Sequence, residues 1–405
     1  EHLSWMIAGM LRGASVQYYP KSRLFQKLLR GKRTTLIVPQ NGTWLSSVVL
    51  RLLGHHVVRF NSKVAASERG IDFTPGRPAL VSHSSGTGGK WKRIPRSHEK
   101  LIAQHEAIKE VFAPYENQVD FPLFPNVVLH QLACGVETVL PNLNWSNWTD
   151  FFPGDILDQM AGNGVTSLTG NVYYFTQLVG LALEKEYQLQ HIKQVGIGGS
   201  PVPDWLLDDL QKVFPQAKVY SIYGSTEAEP ISLRHFRRKR NPLHGYCVGN
   251  IHPGIELEIR KFGELNQHNS QLDWGEICVK GKHVAAQKDG WLETGDLGYL
   301  YEDELYLIAR KENFQDFLGV FPYQIEHYLT ENVELESVAV FASASTLRVF
   351  YESNSDLEDE IHTAITEAFG HVKVVIKRLF DLPKDERHHS KIRYQKIYAD
   401  HISRS

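Results

Sequence analysis

Two spacings of apolar residues alternate through the middle of the chain. The runs TVLP, VTSLTG, QVGIGGSPVP and AKVYSIYG are β-branched or apolar, and each ends in a Gly or Pro turn, so they read as strands. Helical patterns lie between them, such as PDWLLDDLQKVF (203–214), where Pro203 suits a first helical turn. This strand–loop–helix rhythm predicts an α/β fold with helices packed on a mostly parallel sheet. Nearer the N-terminus, LIVPQ (36–40) and HHVVRF (55–60) read as short strands around a helix, WLSSVVLRLLG, closed by Gly54. A strand, ALV, then runs into a loop of Ser, Gly, Thr and Lys, and SHEKLIAQHEAIKEVF (97–112) reads as a helix capped by Ser97.

From about residue 245 the pattern turns all-β: IELEIRKF, GEICVKG and ELYLIAR are short strands with turns. After Arg310 come strands SVAVFAS and LRVFYES, a helix near 356–368, and VKVVIKRLF. This β-β-α-β order is long enough for a small separate domain. A charged hinge is expected at 309–313 (ARKEN), dividing the chain into 1–308 and 309–405.

Composition narrows the class. Hydrophobic residues make up 42% and charged residues 22%, an ordinary globular balance. The net charge of −2, from 44 Lys+Arg and 46 Asp+Glu, carries no electrostatic footprint for nucleic acid. Three scattered cysteines argue against a disulfide framework or structural zinc and for a reducing cytoplasm. No apolar run approaches the ~20 residues of a membrane span, and the opening EHLSWMIAGMLRG has no basic n-region or cleavage site. The histidine pairs 55–56 and 388–389 lack ligand spacing and are not expected to bind metal.

Chemical character concentrates in a few loops. In Ser84-Ser85-Gly86-Thr87-Gly88-Gly89-Lys90, glycines leave room for backbone N–H groups around phosphate oxygens, hydroxyls add donors and Lys90 adds charge. A Walker A loop is excluded, because its first Gly would fall at Ser84 and Trp91 stands where Ser or Thr belongs. Read alone, the loop is also compatible with a plain flexible turn.

Read with five later segments, it resembles the phosphate loop of the adenylate-forming enzymes, the superfamily of acyl-CoA synthetases, luciferases and peptide-synthetase adenylation domains. That loop runs Ser/Thr-Ser-Gly-Ser/Thr-Thr-Gly-x-Pro-Lys-Gly; here Gly88, Trp91 and Arg93 replace Thr, Pro and Gly. IGGSPVP (197–203) is similar to the superfamily's adenine-flanking turn, YGSTEAEP (223–230) to its Tyr-Gly-x-Thr-Glu signature, and GWLETGDLGYL (290–300) to its Thr-Gly-Asp signature. ARKENFQDFLG (309–319) resembles its hinge, with Ala309 for Gly and Glu312 at the Asp/Lys position. LPKDERHHSKIRYQKI (382–397) resembles the segment carrying the catalytic lysine. The resemblance covers about 78–397.

It implies a large N-terminal domain with α/β and β-barrel-like parts, and a small mobile α+β C-terminal domain. The implied activity joins a carboxylic acid, fatty or aryl, to the α-phosphate of ATP with Mg2+ and releases pyrophosphate. Transfer to the thiol of CoA or of an acyl carrier protein follows. Lys391 would bridge the carboxylate and the α-phosphate, where two anions meet. Glu227 would hold Mg2+, which prefers oxygen donors, and Thr226 would donate to the α-phosphate. Asp296 and Arg310 would take the ribose hydroxyls, Tyr223 beside Gly224 would stack on adenine, and Gly199, Ser200 and Pro201 would flank it. About a hundred residues that normally precede the phosphate loop are not accommodated by the 83 here, so the N-terminal part reads as abbreviated or late-starting; a monomer or homodimer is expected.

The stretch P-K-D-E-R-H-H-S-K-I is similar to one subgroup, the olefin-biosynthesis β-lactone synthetases and fatty acyl-CoA ligase-like proteins, as are DFPLFPNVVLHQLACGVETVLP (120–141) and YGSTEAEPIS. Three outcomes therefore stand open: an acid–thiol ligase, a β-lactone synthetase acting on a β-hydroxy acid, and a non-catalytic nucleotide-binding relic. GNVYYF (170–175) would line the acyl pocket or belong to the core. RHFRRKR (234–240) would receive CoA phosphates or a carrier protein, or be a solvated loop.

Overall fold

The computed structural model describes residues 77–85, 91–144, 148–261, 273–285, 289–315, 319–343, 346–385 and 389–403, together with the backbones of three short strands nearer the N-terminus. Two compact units divide between Ile102 and Ala103. In the first, β1 (Val16–Gln17) pairs in parallel with β4 (Pro78–Ser85), and β2 (Thr35–Val38) pairs in parallel with β3 (His56–Arg59). β4 forms an antiparallel pair with β5 (Trp91–Ser97), and the Arg96 guanidinium donates to Ser82 Oγ at 2.6 Å. The helix expected over 44–54 and residues 86–90 lie outside the described residues. The Ser97-capped helix is α1 (His98–Val111); Ser97 Oγ accepts from Lys100 N at 3.3 Å.

The second unit is built on one eleven-stranded sheet. In chain order its elements begin with β6 (Val119–Pro122), α2 (Pro125–Ala133), β7 (Glu137–Thr138), α3 (Pro153–Gly162), β8 (Ser167–Asn171), α4 (Val172–Glu184), β9 (Gln194–Gly198), α5 (Asp204–Val213) and β10 (Lys218–Ser225). β7, β6, β8, β9 and β10 are parallel neighbours in that spatial order. Helices cover this half, and its apolar positions Leu168, Val195, Ile197 and Val219 are buried in one core with Phe175 and Leu178 of α4 and Leu206 and Leu210 of α5, while Asp120, Ser167, Asn171 and Ser221 are buried polar positions of the strands in this half. Pro203 precedes the first turn of α5 rather than entering it.

The sheet continues antiparallel through β11 (Ala228–His235), β12 (Tyr246–Ile251), β13 (Ile255–Arg260), β14 (Gly275–Gly281), β15 (Leu292–Tyr301) and β16 (Glu304–Arg310). The strands read as all-β after residue 245 belong to this antiparallel half, which among the described residues extends the same sheet where the resemblance implied barrel-like parts. Beyond it, α6 (Pro322–Asn332), β17 (Ser337–Ser343), β18 (Thr346–Glu352), α7 (Glu358–Phe369) and β19 (Val374–Leu379) form a small α+β layer with its own three-stranded sheet, and α8 (Tyr394–Ile397) follows. The β-β-α-β order was legible in the sequence; α6 in front of it was not. α6 begins at a Pro and buries Tyr323, Ile325, Glu326, His327 and Leu329, a mixture without a clean apolar stripe. Its His327 Nδ1 lies 2.9 Å from Gly245 O, and Gln324 Nε2 donates to Leu243 O at 2.6 Å, which fixes the layer to the sheet.

Candidate active site

In open α/β sheets, ligands collect outside the carboxyl ends of the parallel strands. Here β8, β9 and β10 end at Asn171, Gly198 and Ser225. Asn171 turns the chain into α4 by accepting Tyr174 N at 2.9 Å. Gly199 has φ +92°, a left-handed conformation that a side chain resists. The next residue, Ser200, has a buried Oγ without a hydrogen-bond partner among the described residues. Ser225 pairs with Ala228, so Thr226 and Glu227 form the two-residue tip of the β10–β11 hairpin. Gly224 sits at an irregularity just before that tip; a Cβ there would stand 2.8 Å from Ala228 O, so the tip closes only with glycine. Glu227 O accepts Ala285 N at 2.7 Å, and Asn126 of α2 donates to Glu229 at 2.8 Å, tying the tip to its neighbours.

A charged cluster stands behind this edge. Asp296 on β15 is paired in register with Arg310 on β16. Arg310 Nη1 donates to Asp296 Oδ1 at 2.8 Å, and the Tyr223 hydroxyl donates to Oδ2 at 2.8 Å. Thr294 Oγ1 accepts Asp296 N at 3.1 Å and fixes the turn. The Asp296 carboxylate holds the Arg310 guanidinium well above its usual range, and burial followed by the same carboxylate pushes the Tyr223 phenol up strongly. A carboxylate offers about four lone-pair sites, so both Asp296 oxygens keep acceptor capacity after these two bonds. The sequence pointed to Tyr223 through its ring face; the structure also engages its hydroxyl. Asn313 entered the sequence reading only as the end of the expected hinge: its Oδ1 accepts Arg310 N at 2.9 Å and its Nδ2 donates to Val340 O at 3.1 Å, so one buried amide joins β16 to β17.

Lys391 is presented by a small loop. Lys384 and Ile392 form an isolated antiparallel bridge; Asp385 N donates to Lys391 O at 2.9 Å, and Lys391 N donates to Asp385 Oδ1 at 3.1 Å. The Lys391 side chain is exposed. Three residues on, Tyr394 is buried and its hydroxyl meets both oxygens of Glu326 at 3.1 and 3.0 Å. Burial pushes the Glu326 carboxyl up to about 8, with the Val340 N–H and the Tyr394 hydroxyl partly opposing. The other end of the loop reaches the sheet: the His389 ring stands edge-on to Tyr173, with centroids 4.8 Å apart. Tyr173 lies in the first turn of α4, directly after the carboxyl end of β8. His389, expected at the surface or supporting the site, is thus a packed contact, and Lys391 is two residues from it.

One expectation falls outside the described residues, and another comes out differently. Residues 86–90 are outside the described residues and only the backbones of Ser84 and Ser85 are described, so the phosphate loop is not placed against the rest. The basic run 234–240 is neither a solvated loop nor an open anion cradle along its length. Arg234 is 2% exposed and forms a two-pronged pair with Asp204 at 2.5 and 2.8 Å. Arg240 makes two 2.8 Å bonds to Glu304, and Lys239 meets Glu331 at 3.0 Å. Spacing alone could not show this, because the partners are 30 to 92 residues away in the chain.

A parallel sheet with its turns gathered at the strand carboxyl ends is the place where open α/β proteins bind their ligands. The AMP-binding enzyme family model matches residues 55–287, more than half of the sequence, and the chain belongs to that family. Among curated proteins it is 29% identical over 299 residues to 4-coumarate–CoA ligase 1 of Arabidopsis thaliana, covering 67% of this chain and 52% of that protein. It is 25% identical over 328 residues to 2-succinylbenzoate–CoA ligase of Lactococcus lactis subsp. lactis (strain IL1403), covering 78% and 70%. The chain spans 52% to 60% of the length of the four 4-coumarate–CoA ligases compared. Its fold matches O-succinylbenzoate coenzyme A synthetase of Bacillus subtilis in complex with ATP and magnesium ion (TM-score 0.76, 20% identity, 96% of this chain and 85% of that one). It also matches the amide bond synthetase McbA of Marinactinospora thermotolerans (TM-score 0.79, 18% identity, 98% and 87%). Among the described residues no helix is long and apolar enough to cross a membrane.

Proposed function

We propose that this protein activates a carboxylic acid with ATP to an acyl-adenylate, releasing pyrophosphate, and passes the acyl group to a thiol. The observation that carries the reading is the contact between His389 and Tyr173, which brings the Lys391 loop to the carboxyl edge of the parallel strands. Adenylation brings two anions together, and a positioned cation lowers that barrier most where water is excluded. Lys391 supplies the cation between carboxylate and α-phosphate. Thr226 donates its hydroxyl to the α-phosphate. Asp296 and Arg310 accept and donate at the ribose, Tyr223, Gly224 and the turn Gly199-Ser200-Pro201 bound the adenine, and the Ser84–Lys90 motif has the donors that phosphate oxygens need. The orphaned Ser200 Oγ is the kind of buried group that a ligand completes.

Glu227, an oxygen donor on the hairpin tip, fits a hard cation such as Mg2+. Bound there, Mg2+ would offset triphosphate charge. The segment from 309 acts as the mobile C-terminal domain, turning about 309–313 so that the thiol can reach the acyl group. The names of the curated relatives favour an aryl acid and CoA as acceptor over a carrier protein. Three thiols without a disulfide fit a cytoplasmic enzyme. A second reading, β-lactone formation from a β-hydroxy acid, is favoured by the tail P-K-D-E-R-H-H-S-K-I.

The test is pyrophosphate and AMP release from ATP and Mg2+ with aryl, fatty and β-hydroxy acids, with and without CoA. Acid-dependent pyrophosphate with a thioester when CoA is added is the expected result. A lactone formed without CoA selects the second reading, and no pyrophosphate with any acid overturns both.

A further inference from the structure

Away from the strand edge, α1 and α2 bring three metal-ligating side chains together. His105 lies on α1; His130 on α2 and Cys134 just past its end are four residues apart and share one helix face. One ligand atom from each can be chosen so that all three lie within 4.8 Å of one another, and no other such group of three occurs among the described residues. Cys134 Sγ is 3.7 Å from His130 Nε2, and the two imidazole rings are 4.8 Å apart at their centroids.

Two further facts point to a ligand. His130 is 3% exposed, and its Nδ1 is buried without a hydrogen-bond partner; the Nδ1 of His105 is in the same condition. Buried ring nitrogens are ordinarily paired, so two orphans in adjacent rings need a common explanation. A tetrahedral zinc ion, with Zn–N of about 2.0–2.1 Å and Zn–S of about 2.3 Å, spaces two nitrogens and a sulfur roughly 3.3–3.6 Å apart. The chosen ligand atoms lie within 4.8 Å of one another, so closing to that spacing requires about 1 Å of side-chain movement.

We infer that His105, His130 and Cys134 bind a zinc ion, with water in the fourth position. Two imidazoles and a thiolate select zinc over magnesium, which prefers oxygen, so this site and Glu227 would sort the two metals. Zinc would clasp α1 to α2, the helix whose Asn126 holds Glu229 beside the hairpin tip. The sequence argued against structural zinc because the three cysteines are scattered with no CxxC; His105 and His130 meet only through the packing of two helices.

The test is to titrate the tag-free, chelator-stripped 405-residue chain with Co2+ and then Zn2+. One equivalent of Co2+ should give tetrahedral d–d bands and a near-ultraviolet thiolate-to-cobalt band, all displaced by Zn2+ and untouched by excess Mg2+. Cys134→Ser should lose the thiolate band, and His105→Gln should weaken binding at least tenfold. Both positions are only partly buried, so circular dichroism should confirm that these variants fold even if His130→Ala does not. Absence of the thiolate band, or its persistence in Cys134→Ser, overturns the site.

Discussion

The Asp296 cluster and the Lys391 loop carry opposite designs. Asp296 is 7% exposed, has both oxygens bonded, and sits between paired strands. Lys391 is exposed on a loop held by backbone bonds, with its anchor, Tyr394, buried three residues further on. Under the proposed function, the contrast is a division of labour. A group that recognises the same nucleotide atoms throughout a reaction gains from being built into a sheet. A cation needed at one step gains from an anchored but exposed loop that can arrive and leave.

Substitutions on either side separate the two designs. The largest effect is expected in the sheet, where Arg234→Ala leaves Asp204 buried without its partner. Removing one member of a buried pair costs about 3–5 kcal/mol, so denaturant unfolding should show a loss of that size. If the basic run served anion binding instead, stability would hold and CoA affinity would fall. Next comes Asp296→Asn, which keeps the shape but withdraws the charge that Arg310 faces. Charge-assisted hydrogen bonds are worth about 1.5–3 kcal/mol, so ATP affinity, read by calorimetry, should weaken about 10- to 100-fold.

The anchor of the loop should titrate. Glu326 has a folded value of about 8 against an ordinary 4.5, because it is buried. The folded state therefore binds the extra proton, and this contribution is full below about pH 4.5 and is lost as pH rises through about 8. Glu326→Gln should flatten that decline in thermal scans from pH 5 to pH 9; parallel curves for the two proteins would remove Glu326 as the cause. The smallest effect belongs to His389→Ala. An aromatic pair is worth about 0.5–1.5 kcal/mol, so adenylation should slow by no more than about tenfold while ATP affinity stays the same.

Legibility followed the range of the interaction. The parallel half was readable because its strands carry β-branched and apolar residues that end in Gly or Pro turns, and α5 repeats its leucines at helical spacing. The candidate site was readable where the residues lie in one turn, as in Thr226-Glu227 and Thr294-Gly295-Asp296. It failed where pairing is long-range. Asn313 bonding to Val340, Arg234 to Asp204 and His105 meeting His130 leave no periodicity and no local motif. α6 was missed because its buried face includes Glu326 and His327, polar residues satisfied only by distant partners.

One paired measurement bears most directly on the division between platform and delivered cation: ATP binding and acyl-adenylate formation, in the same preparations, for Lys391→Ala and Asp296→Asn. The expected result is that Lys391→Ala binds ATP within about threefold of the parent yet loses adenylate formation on the order of a hundredfold or more, whereas Asp296→Asn loses both together. Undiminished adenylate yield in Lys391→Ala, or a loss of ATP binding equal to its loss of adenylate, would contradict it.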